Sequence, residues 1–127
     1  MDATRALAEL AELSSQVVRT VVLDAKGSVL ASTGADGDAL AASALDLLAA
    51  AGELHSSADE VTRAEVELAE GGLFVLREGG RTIAATTGPN PTSGLVVYDL
   101  RTCLAGIDEE KPKRRRATRK AKEEEDA

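Results

Sequence analysis

Aromatic residues are nearly missing: one phenylalanine, one tyrosine and no tryptophan stand among 127 residues. A core without large rings must be assembled from Leu, Val and Ala, so its helices and sheet have to pack closely. Cys103 is the single cysteine, which excludes an internal disulfide, and its helical setting reads as an ordinary packed thiol. His55 is the single histidine. One Cys and one His cannot make a four-ligand zinc set, and no Ser/His/Asp arrangement can be built on His55 alone. No run of about 18 apolar residues is present, so no membrane-spanning helix is expected. The first residues, Met1-Asp2-Ala3-Thr4-Arg5-Ala6, carry two charges and no apolar signal-peptide centre. Gly88 to Gly94 has the wrong glycine spacing and no lysine for a phosphate loop. These absences point to a non-enzymatic, cofactor-free, cytoplasmic protein.

What is present is one domain's worth of chain with a legible middle. Leu73 to Glu78 reads as a strand, Gly79-Gly80 as a two-residue hairpin turn, and Arg81 to Thr87 as the returning strand. Gly88-Pro89-Asn90-Pro91 stops extended pairing, because proline offers no backbone N–H. Thr92 or Ser93 can cap a last helix with Val97, Leu100, Leu104 and Ile107 at helical spacing.

The earlier chain supplies the rest. Asp2 is the expected cap of a helix over 3–13, with Ala3, Ala6, Leu7, Leu10 and Leu13 as its apolar stripe. Residues 16–24 read as a strand with Val17, Val21 and Leu23 on one face and Val18 and Val22 on the other. A turn at 24–27 leads to a strand over 28–33. Asp38 is the expected cap of a helix over 39–51 that carries one charge, Asp46. Leu40, Ala44, Leu47, Leu48 and Ala51 form one apolar face of it, and Ala41, Leu45 and Ala49 widen that face most of the way round. A helix apolar all round should be covered all round, and a domain this small has little room for that. One side is therefore expected on its own sheet and the other on a second molecule. Gly52 ends it. A polar connection with His55 precedes a strand over 61–70, where Val61 leads and Ala64, Val66 and Leu68 face in; Arg63, Glu65 and Glu67 face out, as suits an edge strand. Gly71-Gly72 reads as a second hairpin turn. The order is α-β-β-α-β-β-β-α. Short connections demand antiparallel neighbours, and strands apolar on both faces demand helices on both faces. The expected fold is an α+β, three-layer α-β-α sandwich around a five-stranded antiparallel sheet.

Charge divides the chain. The net charge is −7. Residues 1–107 carry seven Lys/Arg against fifteen Asp/Glu, and residues 108–127 carry eight against seven. The body is acidic and unsuited to nucleic acid, which needs cationic surface. The tail runs in blocks: three acids, then Lys111, Lys113, Arg114, Arg115, Arg116, Arg119, Lys120 and Lys122, then four acids. With no apolar residue but alanine it is expected to be disordered. The split is thus a domain over 1–107 and a mixed-charge tail over 108–127. Arg114-Arg115-Arg116-Ala117-Thr118 has the form of a basophilic kinase site. Arg77, Arg81 and Arg101 are either solvated or salt-bridged arginines, or contacts for a partner.

The element order, with Val-Val-Leu-Asp-Ala-Lys-Gly-Ser-Val-Leu-Ala (21–31), the apolar second helix and Gly-Gly-Leu-Phe-Val-Leu-Arg-Glu-Gly (71–79), resembles the Roadblock/LC7 family, especially its small bacterial MglB-like members. The resemblance spans about residues 3–107 and does not include the tail. It implies a dimer that pairs second helices and third strands into one continuous sheet. It also implies binding to a Ras-like small GTPase, with MglB-like members acting as GTPase-activating partners that supply no arginine finger. Dimer or partner contacts are then expected from Leu40, Ala44, Leu47, Leu48, Ala51, Val61, Arg63, Glu65 and Glu67. Three functions follow: a homodimeric regulator or scaffold of a small GTPase; a binder of nucleic acid or another anionic surface through the basic tail; and a structural dimerisation module whose tail folds back on the acidic body.

Overall fold

A computed structural model describes residues 1–54 and 61–108. His55 lies outside the described residues, as do Thr118 and the eight basic tail positions from Lys111 to Lys122.

The elements follow the expected order: α1 (Ala3–Leu13), β1 (Val17–Leu23), β2 (Val29–Thr33), α2 (Gly37–Gly52), β3 (Arg63–Leu68), β4 (Gly71–Glu78), β5 (Arg81–Thr87) and α3 (Ser93–Ala105). The five strands form one sheet in the order β2-β1-β5-β4-β3, with every neighbour pair antiparallel. The two edges are β2 and β3. Placing β5 between β1 and β4 brings the last strand back into the centre, where Ile83, Ala84 and Ala85 are fully buried.

Strand alternation sends side chains to two cores. On one face Val22, Phe74, Leu76, Ile83 and Ala85 pack under α1 and α3, which contribute Leu7, Leu10, Val96 and Leu100. On the other face Val21, Leu23, Val75 and Ala84 pack under Leu40, Ala41, Ala44 and Leu48 of α2. Phe74 and Leu76 therefore point opposite to Val75, as the sequence indicates. Asp2 caps α1, its Oδ1 accepting from the Arg5 amide at 2.8 Å. The end of α3 returns beside the start of α1, where the Asp108 amide donates to the Met1 carbonyl at 2.8 Å.

Several local expectations are corrected. Val17 does not share a face with Val21: a bulge between Val17 and Arg19 against β5 adds one residue to β1. Val17 then packs with the α1/α3 core, and Val18 is left 62% exposed. Leu13 is 80% exposed, because α1 ends there and the chain turns away at Ser14. The cap position of α2 is Asp36, in the left-handed region at φ 58°, while Asp38 sits in the first turn. Gly71-Gly72 is not a turn. The β3–β4 turn falls at residues 69–70, and both glycines belong to β4. A Cβ on Gly71 would stand 2.1 Å from the Thr87 carbonyl oxygen, so close strand packing accounts for that glycine. The 79–80 turn is as expected, with φ 62° and 80°.

Candidate functional site

The chain presents an open sheet edge beside the outward side of α2. Strand β3 pairs only with β4, so the backbone groups along its outer edge have no strand partner. Its Ala64 and Val66 lie on the α2 side, opposite Val75 and Leu73. Its charged residues lie on the other side: Arg63 opposite Leu76, Glu65 opposite Phe74 and Glu67 opposite Gly72. Arg63 Nε stands 3.6 Å from Glu65 Oε2, an exposed pair worth little in stability. Charges along such an edge discourage indiscriminate pairing while leaving the edge open to a matched strand.

Helix α2 crosses this sheet with Leu40, Ala44 and Leu48 buried against it. Leu47 and Ala51 are half-buried, and Val61 packs against the same core just before β3. The side chains turned to solvent are Asp38, Ala39, Ala42, Ser43, Asp46, Ala49 and Ala50. Nothing longer than an aspartate projects from that side. A second helix could therefore approach at the short end of the usual 8–10 Å interaxial range. The candidate residues thus divide into an inner set that seats the helix and an outer set along the edge strand.

Between α2 and the end of β3 lies a groove of about 340 Å³, which the sequence reading missed. Leu40 and Ser43 form its helix wall, Leu68 and Leu73 line the sheet side, and Gly71-Gly72 leave its floor low. Leu68 is 62% exposed here, although strand alternation marked it as inward-facing. The reason is geometric: Leu68 ends an edge strand and projects past the helix cover. Arg19 stands at the rim, with its Nη1 donating to the Ala35 carbonyl at 2.9 Å.

Two of the three singled-out arginines are engaged. Arg101 Nε bonds Glu78 Oε2 at 2.6 Å, and Arg81 Nη2 donates to the Asp108 carbonyl at 2.8 Å. Burial, with the Glu9 charge as a lesser cause, pushes the Cys103 thiol up to about 11, so it is a packed thiol and not a nucleophile at neutral pH. Among the described residues no group of three or more His, Cys, Asp or Glu is placed to hold a metal ion. No described helix is long and apolar enough to cross a membrane. Leu13, Val18, Leu95 and Tyr98 are also exposed, which the sequence reading did not mark.

The sequence model of the Roadblock/LC7 domain matches residues 4–87, and the chain belongs to that family. Among solved structures, a Roadblock/LC7 domain from Streptomyces avermitilis is similar at 23% identity and a TM-score of 0.69, covering 83% of this chain and 93% of that one. The gliding protein MglB from Thermus thermophilus is similar at 20% identity and a TM-score of 0.66, covering 80% and 82%. An MglB with a tetrameric arrangement matches at 20% identity and a TM-score of 0.65, covering 80% and 81%. The comparison with curated proteins finds no match.

Proposed function

We propose that this Roadblock/LC7 chain works as a homodimer that regulates or scaffolds a Ras-like small GTPase and has no catalytic activity of its own. The observation that carries the reading is the unpaired outer edge of β3 beside an α2 whose outward side chains are small. A two-fold axis at that edge sets β3 antiparallel to its copy and α2 against its copy. Two five-stranded sheets then become one, and the α2 residues that water now covers become a helix–helix contact. The outer contacts are Ala42, Asp46, Ala49, Val61, Arg63, Glu65 and Glu67, while Leu40, Ala44, Leu47, Leu48 and Ala51 hold the helix in place. The GTPase partner is supported by membership of the family and by the likeness to MglB.

The test immobilises the full-length chain, exposes it to lysate of the source organism in GTP- and GDP-loaded states, and identifies any Ras-like GTPase retained. That GTPase is then purified and its single-turnover hydrolysis measured with and without the chain. A change of about tenfold or more, equivalent to about 1.4 kcal/mol of barrier, supports regulation. Retention with unchanged turnover supports the scaffold form. A dimer that retains no such GTPase in either nucleotide state contradicts the proposal.

A further inference from the structure

Six arginines lie within the described residues, and five of them have partners. Arg5 faces Glu9, Arg63 faces Glu65, Arg101 bonds Glu78, Arg19 bonds the Ala35 carbonyl, and Arg81 bonds the carbonyl of Asp108. Arg77 differs. Its backbone amide donates to the Thr62 carbonyl at 2.9 Å, but its guanidinium has no hydrogen bond or ion pair among the described residues, although the residue is half-buried. A half-buried arginine whose guanidinium has no partner on its own chain leaves its five N–H donors free for a partner from outside.

The surroundings are those of a receptor. Arg77 lies on the α2 side of β4, directly across from Thr82 of β5. Thr82 is 4% exposed, and its hydroxyl has no side-chain hydrogen bond among the described residues. Both line a cavity of about 210 Å³ at the end of the sheet. The turn at 24–27 and the turn at 79–80 wall it, and Leu45 of α2 covers it. Asp24 and Glu78 both contribute negative charge to the wall, but Asp24 Oδ1 is engaged by the amides of Lys26 and Ser28, both at 2.9 Å, and Glu78 Oε2 by Arg101 Nε at 2.6 Å.

We propose that the Arg77–Thr82 cavity is a receptor for one carboxylate, carried by an aspartate or glutamate side chain of a protein partner. Three physical points select that ligand. The guanidinium fork pairs with the two oxygens of a carboxylate, and the Thr82 hydroxyl supplies a further donor to the same anion. Partial burial lowers the local dielectric and strengthens the pairing over a surface one. The nearby Asp24 charge penalises a dianion more than a monoanion, so phosphate is disfavoured. The cavity exceeds a single carboxyl group and leaves room for ordered water at about 30 Å³ each. The receptor does not depend on a GTPase partner.

The test is an amide-resolved NMR titration of the full-length chain at constant ionic strength. The probes are a glutamate capped at both backbone ends, the same capped glutamine, sodium acetate and sodium phosphate. The expected result is saturable shifts confined to residues 24–28 and 79–82 with the capped glutamate, and a response at least about tenfold weaker with the neutral glutamine. Arg77→Gln removes the response and Thr82→Val weakens it, while the remaining amide spectrum shows that both variants keep the fold. Four results would overturn the assignment: equal shifts with glutamine, a response that survives Arg77→Gln, tighter saturation by phosphate, or acetate binding as well as the capped glutamate. The last two would reassign the cavity to phosphate or to free small carboxylates.

Discussion

Replacing Gly71 with alanine tests how tightly β4 and β5 are bound at the floor of the groove. The added Cβ would stand 2.1 Å from the Thr87 carbonyl oxygen. Ordinary Cβ contacts begin above 3.0 Å, so the strands must separate by nearly an ångström where β4 begins. The displaced region carries the Leu73–Thr86 pairing and the bond from the Gly72 amide to Thr87 Oγ1 at 3.0 Å. Neither strand can yield freely, since β5 is also paired with β1. Overpacking of this kind costs about 1–3 kcal/mol, and loss of the buried Gly72 bond adds about 1 kcal/mol. The total is about 2–4 kcal/mol, a large part of a small domain's stability. Gly79→Ala is the comparison. Its Cβ meets nothing within 4 Å, and only the positive φ of 62° opposes it, at about 1–2 kcal/mol. Urea melts of the wild type and both variants measure the difference through the midpoint at constant m. A Gly71→Ala protein within about 0.5 kcal/mol of wild type would refute the close approach described here.

Two further expectations rest on other parts of the chain. Val18→Lys should change stability by no more than about 0.5 kcal/mol, because the bulge places that side chain in water, whereas Val17→Lys should be clearly destabilising; thermal melts of the two would separate them. For Cys103 the folded thiol is raised from 9.0 to about 11, so the folded state retains a proton that the unfolded state releases. Stability from this group is complete below pH 9 and is lost as pH rises towards 11, and a Cys103→Ser protein should show a shallower decline over that window in urea melts.

Regular structure was legible because its signals are local and repeated. The apolar spacing of Leu7, Leu10, Val97, Leu100 and Leu104 maps onto buried helix faces, and the positive φ angles at Gly79-Gly80 match the turn read from that pair. The edge position of β3 was legible from its alternating charges. What escaped depends on pairing between distant segments. A one-residue bulge in β1 reverses Val17 and Val18, and nothing in their own sequence marks it. Gly71-Gly72 has the composition of a turn, yet it is a strand start fixed by Thr87, sixteen residues on. Asp36 displaces Asp38 from the cap because the backbone turns through the left-handed region there. The Arg77–Thr82 cavity and the Leu68–Leu73 groove arise only when several elements meet. The sequence named Arg77 as a possible contact, but Thr82, a strand threonine among others, carried no signal.

The central claim is that the β3 edge and the α2 face pair two copies of the chain. It is tested most directly by the solution mass from sedimentation equilibrium of the wild type and of Ala49→Arg at tens of micromolar. Ala49 is exposed on α2, so the charge should leave the protomer folded, which circular dichroism would verify. The account predicts twice the 13.1 kDa chain mass for the wild type and a shift to the single-chain mass for the variant. A wild type that stays at the single-chain mass, or a dimer that Ala49→Arg leaves intact, would contradict it.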